Sequence, residues 1–545
     1  MKEILKKYIK SILAVCILLI LCSFLSTLHP YVLKQVLDVD FSSPNIQTIM
    51  LKLIILYTAI HVVLILFENL REILINTVIC KIIKDIREKV FNNVLKFKMI
   101  TFNQYNSSEL YTRLTDDVDR LFDLFFGVVY AIINNGLHIV CMIIMMFVAN
   151  VNLALIGFVT IGLVSMVSFK FVKILGKIDN VILQIRDQEN REYSEMYNKS
   201  KLTYLFKLQK QNVEKTTRLL NQELKNRKKY ICIDHFPYWL LSVIQAIGIY
   251  AILYYALHME TSISLGSIYL VVFYTKECRN PLENMFDRLE NLQTCINSFK
   301  RVKVILDETN YENREQGKTI EDLNGDIEFQ NVSMRYDKEL VLKNISFVIK
   351  KGTKVTIAGR TGVGKSTLTN VLMRLYDIES GKILIGKHDL SQISIQSLRD
   401  NISYISQNPY IFADTVRNNV ILGKRDITDE QIMNLVVEIG VENIFEKLPN
   451  GLDTKITFSQ LSYGELQVIA FIRAILHKAN IYIFDEPTSN IDLKTENMIQ
   501  KMIDKISKDS TVIMIAHRKS TIESSDKIIH LKDGQIDRIV NKIPV

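Results

Sequence analysis

Six stretches of the chain stay apolar for about twenty residues at a time, near 11–30, 50–69, 127–149, 152–172, 239–258 and 264–285. Each is long enough to cross the hydrocarbon layer of a bilayer as a helix. The connections between them alternate. Segments 31–49, 150–151 and 259–263 are short, with Lys34 as their only basic residue. Segments 71–126 and 173–238 are long and carry Lys81, Lys84, Arg87, Lys199, Lys207 and Lys228 among other cations. Cytoplasmic loops favour Lys and Arg, so both long loops and both termini are predicted inside. The run KIIKDIREKVFNNVLKF (81–97) repeats apolar positions every three to four residues, as an amphipathic helix does. The membrane helices are therefore predicted to continue into the cytosol, by about 45 Å for thirty further residues.

After the sixth span, FDRLENLQTCINSFKRVKVILDE still reads as helix, and the chain turns polar near residue 310. From Asp326 the pattern changes to short β-branched runs alternating with helices and glycine turns, the mark of an α/β domain with its own core. Two domains are predicted: residues 1–310, all-α with six membrane helices and long cytoplasmic extensions, and residues 326–545, α/β. The basic start MKEILKKYIK and the apolar run after it resemble a secretory signal. No small-residue cleavage site follows and five more apolar stretches do, so this run reads as the first membrane helix.

Composition agrees with this division. Apolar residues make up 48% of the 545 and the mean hydropathy is +0.14, high for a soluble protein. The net charge of +9 falls mostly in the long inner loops, which accounts for it without nucleic acid as a partner. Cys16, Cys22, Cys80, Cys141, Cys232, Cys278 and Cys295 are scattered and include no C-x-x-C pair, so neither a disulfide framework nor a zinc site is expected.

The chemistry lies in the second half. TKVTIAGRTGVGKSTLTNVLMRL runs strand, glycine loop, helix, and contains G-x-x-x-x-G-K-[ST] as Gly359, Gly364, Lys365 and Ser366, with Arg360, Thr361, Gly362, Val363 and Thr367 in or beside the loop. Glycines let backbone N–H groups close around phosphates at a helix N-terminus, where the helix carries partial positive charge. In such a P-loop the lysine reaches the outer phosphates of ATP and the serine hydroxyl binds Mg2+. IYIFDEPTSNID (481–492) supplies a second apolar strand ending at Asp485, placed to hold the metal, with Glu486 beside it to orient or deprotonate a water.

Further pieces follow in an order that resembles the ABC transporter ATPases. Leu461, Ser462 and Gly464 in QLSYGELQVIAFIRAIL match the family's signature segment. Tyr336 resembles the aromatic that stacks on adenine, Gln407 the Q-loop glutamine and a metal contact, Asp492 the D-loop acid and His517 the switch histidine. The resemblance covers the whole chain, because six spans with long inner loops resemble the exporter branch. It implies an exporter-type six-helix membrane domain followed by an ABC-type ATPase domain with a helical subdomain. It also implies Mg-ATP hydrolysis catalysed with Glu486, His517 and Gln407. One ATPase domain and six spans imply a half-transporter that pairs with a second subunit, each signature touching ATP held by the other. Short coupling helices near 101–110 and 203–212 are expected to link hydrolysis to movement of cargo.

This chain reads LSYGE where the family has LSGGQ, so Tyr463 replaces a glycine and Glu465 a neutral amide. A homodimer with a working variant signature and a heterodimer whose partner donates a standard one both fit, with the homodimer favoured. At membrane depth, Asn134, Asn135, His138, Gln245, Lys276, Glu277 and Arg279 are candidates to line a cavity for a polar or amphipathic cargo, or else to bond helix to helix. Export of a small molecule, lipid or peptide across the plasma membrane is the leading reading. An ATP-gated channel or regulator of the same fold is the alternative, and a soluble ATPase acting on nucleic acid or the ribosome leaves the six spans unexplained.

Overall fold

The computed structural model describes residues 2–39, 45–258, 263–313, 316–336, 339–424, 426–457, 460–489, 491–516 and 522–542. They form two compact units, Met1–Leu95 with Tyr105–Thr309, and Lys96–Gln104 with Asn310–Val545.

The first unit is helical: α1 (Ile9–Leu37), α2 (Ile46–Val94), α3 (Ala131–Ala149), α4 (Val151–Asn198), α5 (Gln209–His258), α6 (Leu265–Glu277) and α7 (Arg279–Asp307), with shorter helical turns between. Among the described residues, five helical stretches are long and apolar enough to cross a membrane: Ile9–Leu37, Ile46–Val94, Ser108–Ala149, Val151–Asn198 and Gln209–His258. In α2 the most apolar window has a mean hydropathy of 2.5 and no buried residue. A surface so apolar and so uncovered has lipid as its solvent. Further along the same helix, Ile79, Ile82, Ile86 and Val90 are buried at helical spacing, so that half presents one apolar face to protein.

The remaining expected crossing, 264–285, is two helices rather than one. Pro281 has no N–H to give to the Glu277 carbonyl four residues back, and the helix is interrupted at Cys278. Gln245 on α5 braces the turn before the break, its Nε2 donating to the carbonyl oxygens of Thr275 at 2.9 Å and Lys276 at 3.0 Å. Where α5 crosses α4 the Gly248 backbone lies against the Thr160 side chain: a Cβ on Gly248 would fall 2.3 Å from the Thr160 hydroxyl oxygen.

The second unit holds three sheets. A four-stranded antiparallel sheet has the order β2-β1-β4-β5, from β1 (Ile327–Tyr336), β2 (Glu339–Ile349), β4 (Ser380–Ile385) and β5 (His388–Asp389). A six-stranded sheet has the order β12-β11-β3-β10-β9-β6, from β3 (Lys354–Gly359), β6 (Ile402–Ile405), β9 (Ile481–Asp485), β10 (Thr511–Ile515), β11 (Lys527–Lys532) and β12 (Gln535–Asn541). All its pairs are parallel except β11 with β12. The strands β7 (Asp414–Thr415) and β8 (Lys455–Ile456) pair on their own. Successive side chains of a strand point to opposite faces, and both faces are covered here. Ile481 and Ile483 of β9 enter one apolar core while Tyr482 and Phe484 enter another, and β10 divides in the same way. The second core is closed by helices that include Asp429–Ile439 and Tyr463–Leu476, the predicted helical subdomain.

The short helix expected at 101–110 is Met99–Asn103, followed by a turn and a separate helix Ser107–Leu114. It belongs to the second unit, where Lys98 pairs with Asp377 at 3.0 Å and Asn103 donates to the Tyr376 hydroxyl at 2.5 Å. The one expected at 203–212 is Ser200–Leu205, ahead of the start of α5.

Candidate functional site

The strands β3, β10, β9 and β6 lie side by side and parallel, so their carboxyl ends share one edge, where ligands of open α/β sheets bind. From β3 the chain turns through residues 360–364 into α8 (Lys365–Leu372). Thr361 and Gly362 are exposed at the turn, while Val363 leans on the core and Thr367 is buried. Gly364 precedes the helix at φ +99°, and a Cβ there would meet Leu342 at 2.9 Å, so glycine alone fits. No side chain caps this helix, which leaves first-turn N–H groups directed at the space above the loop. Lys365 curls back over that space, its Nζ donating to the carbonyls of Gly359 at 2.9 Å and Arg360 at 3.0 Å. Burial lowers its pKa, opposed by the charges of Glu486 and Asp485. A polyphosphate entering the loop offers the ammonium stronger partners than those two carbonyls.

Across the edge, Ser366 Oγ donates to Asp485 Oδ2 at 3.2 Å and the Tyr404 hydroxyl approaches the same oxygen at 3.4 Å. Burial raises the Asp485 carboxyl, the bond from Ser366 opposes this, and the charge of Glu486 adds to it. A hydroxyl and a buried carboxylate at this spacing are hard oxygen donors suited to Mg2+. Glu486 sits at φ +48°, a left-handed conformation rare for a side chain of its size, and its N–H bonds to the Ile515 carbonyl at 2.9 Å. That backbone turns its carboxylate toward Gln407, which lies two residues past β6 and donates from Nε2 to Glu486 Oε2 at 3.1 Å. Ser366, Asp485, Glu486 and Gln407 are thus one cluster. Tyr336 closes β1, packed edge-on against Tyr376 at 4.8 Å between ring centres.

The signature residues form the start of α9 (Tyr463–Leu476). Ser462 is the N-cap: its hydroxyl oxygen accepts from the Glu465 N–H at 3.3 Å, and Glu465 Oε2 accepts from the Ser462 N–H at 2.8 Å and from its hydroxyl at 2.9 Å. This is a reciprocal capping box, so the acid that departs from the family signature has a local structural partner. The pattern S-x-x-E before an apolar run was sufficient to find it. Leu461 leans on the second core, and the Tyr463 hydroxyl donates to the main-chain oxygen of Gln407. Asp492 caps α10 (Leu493–Ile506), accepting from the N–H groups of Lys494 at 3.1 Å and Thr495 at 3.2 Å, and bonds to Thr495 hold its carboxyl below the usual range. His517 lies outside the described residues.

The candidates in the first unit do not form one cluster. Asn134 accepts from Arg71 at 3.1 Å and His138 Nδ1 lies 3.1 Å from the Ser26 hydroxyl. Glu72 accepts from Arg71 at 3.2 Å and from the Tyr130 hydroxyl at 3.0 Å, completing a polar patch whose arginine is almost wholly buried. Asn135 is half-buried beside it in sequence. Gln245 serves the helix break described above, and Arg279 is engaged by Glu283 and the Ser242 hydroxyl, both at 2.6 Å. Lys276 is exposed and Glu277 partly so.

Residues 12–275 match the family described as ABC transporter transmembrane region, and residues 342–489 match the family described as ABC transporter. A probable multidrug resistance ABC transporter ATP-binding/permease protein of Bacillus subtilis, YheH, is 29% identical over 91% of this chain and 75% of its own length. The ATP-dependent lipid A-core flippase of Escherichia coli is 30% identical over 84% of this chain and 79% of its own. The fold matches a bacterial Atm1-family ABC exporter solved with ATP bound, with a TM-score of 0.80 and 19% identity over 98% of this chain and 95% of that one. A membrane-spanning helical domain and an ATP-hydrolysing domain thus share one polypeptide, and the chain belongs to the ABC transporter family as an exporter-type half-transporter.

Proposed function

We propose that this chain works as a homodimer in the plasma membrane, with both termini cytoplasmic, exporting an amphipathic molecule with an anionic head group at the expense of Mg-ATP. The contacts of Ser366 with Asp485 and of Gln407 with Glu486 carry the catalytic part. Lys365 and the N–H groups opening α8 hold the outer phosphates, with Tyr336 beneath the base. Ser366, Asp485 and Gln407 hold Mg2+, which supplies positive charge to the transferring phosphoryl group when bound. Glu486 takes the proton of the attacking water. Ser462 and Gly464 close over ATP bound by the other subunit, and Asp492 and His517 complete that interface.

The cargo reading rests on Arg71, a buried cation beside Asn134, Glu72 and Tyr130 on helices that cross the membrane. Such a charge at the edge of the bilayer is a site of function by default. One relative is named as a lipid A-core flippase and another for multidrug resistance, and an amphipathic cargo is compatible with both names. The homodimer is supported by two exposed apolar surfaces that one sequence supplies: Tyr204, Leu205 and Phe206 in the second long loop, and Tyr410 and Phe412 in the ATPase unit. A second copy would cover both.

The deciding experiment is reconstitution of the purified chain alone in vesicles. ATP-dependent movement of a labelled anionic amphiphile is expected, lost in Glu486→Gln and weakened in Arg71→Gln. Transport that survives Glu486→Gln would sink the catalytic reading. Cargo response unchanged by Arg71→Gln would sink the cargo reading.

A further inference from the structure

Tyr463 stands where the family signature has glycine, and its side chain does what no glycine could do. Its hydroxyl donates to the main-chain oxygen of Gln407 and lies 3.3 Å from the side-chain oxygen of Asn408. One turn later on the same helix, Gln467 donates from Nε2 to the same Gln407 oxygen at 3.0 Å. Two donors on one carbonyl pin the main chain at residue 407 to the start of α9. The side-chain amide of that residue, in turn, holds Glu486 at 3.1 Å. A continuous line of hydrogen bonds therefore runs from the signature to the catalytic carboxylate of the same subunit: Tyr463 to the Gln407 carbonyl, then the Gln407 amide to Glu486.

We propose that Tyr463 is a positioning residue that makes each ATP site of the dimer sense the other. The inference rests on the reading that the signature of one subunit closes over ATP bound by its partner. ATP drawn against Ser462 and Gly464 displaces the first turn of α9, and the Tyr463 hydroxyl carries that displacement to Gln407. The Gln407 amide then sets how the Glu486 carboxylate of the same subunit is placed toward the attacking water. The ligand at the far end of this line is Mg-ATP in the opposite site, so occupancy of one site governs chemistry at the other. Such coupling is a free energy between sites and appears as cooperativity in the response to ligand.

The test uses the full-length protein in vesicles, with phosphate release measured across Mg-ATP concentrations. Wild type is expected to give a Hill coefficient approaching 2, the limit for two sites. Tyr463→Phe keeps the ring and loses the donor. It is expected to bring the Hill coefficient to about 1 and to lower kcat about fivefold, the rate equivalent of one ordinary hydrogen bond, with KM changed less than about twofold. Tyr463→Gly is expected to lose cooperativity to the same degree, which separates the hydroxyl from packing of the ring. A wild-type Hill coefficient of 1, or unchanged cooperativity in Tyr463→Phe, overturns the proposal. Absence of hydrolysis in wild type, or hydrolysis that persists in Glu486→Gln, overturns the reading of the site and the proposal with it.

Discussion

The break before α7 and the carboxyl edge of the parallel sheet each rely on a glutamine amide, and the two glutamines are used in opposite ways. Gln245 is buried and its Nε2 donates to the carbonyls of Thr275 and Lys276, in the last turn of α6 just before the break. In a hydrocarbon surrounding, an unbonded carbonyl is costly, so that amide has a structural task. Gln407 sits at an exposed edge, its main chain held by Tyr463 and Gln467 and its amide resting on a carboxylate that water or ligand can also reach. The same functional group is a fixed brace where water is absent and an exchangeable contact where water is present. Membrane depth alone is therefore a poor guide to whether a polar side chain binds cargo.

Substitutions should separate the brace from the exchangeable contact. The largest effect is expected from Glu486→Gln at the edge: phosphate release should fall by about 10²- to 10⁴-fold while ATP binding persists, as loss of the proposed general base requires. Next, Gln245→Leu should lower the apparent melting temperature in nanodiscs by about 4–8 °C, because two carbonyls lose a donor at a cost of roughly 2 kcal/mol. Its ATPase at low temperature should stay near wild type, and a full loss of activity without loss of stability would make Gln245 a cargo residue. Gln407→Ala should show the reverse pattern, kcat down about tenfold with an unchanged melting temperature, about 1.4 kcal/mol of barrier. A thermal shift there equal to that of Gln245→Leu would erase the contrast. The smallest change is expected from Glu465→Gln, which keeps an acceptor for the capping box and removes a negative charge. KM for ATP should drop about two- to threefold, in the range of an exposed charge interaction.

Where chemistry depends on spacing, the sequence was readable. Gly364, Lys365 and Ser366 announce a phosphate loop because few other sequences permit that turn, and Asp485 and Glu486 follow a strand whose apolar run marks it as buried. Long apolar stretches announce membrane helices for the same reason, since no other structure keeps so much hydrocarbon surface uncovered. Contacts made across the fold were not readable. Nothing near Gln245 in sequence points to Thr275, and Tyr404 reaches Asp485 only because β6 lies beside β9. Arg71 falls just beyond the apolar stretch 50–69 and so merges with the loop charges, although helix α2 runs on unbroken and buries it. Two features of the sequence do mark local structure: Pro281 at the helix break and S-x-x-E in the signature.

At Gly248 no atom larger than hydrogen can stand between α5 and Thr160. Two rods pressed together that closely cannot slide or roll past one another without a collision, so they turn as one lever about points outside their contact. Whatever swing opens the cargo path must then occur at the seams around this pair, and a single methyl group added at residue 248 should jam the machine while leaving its engine intact.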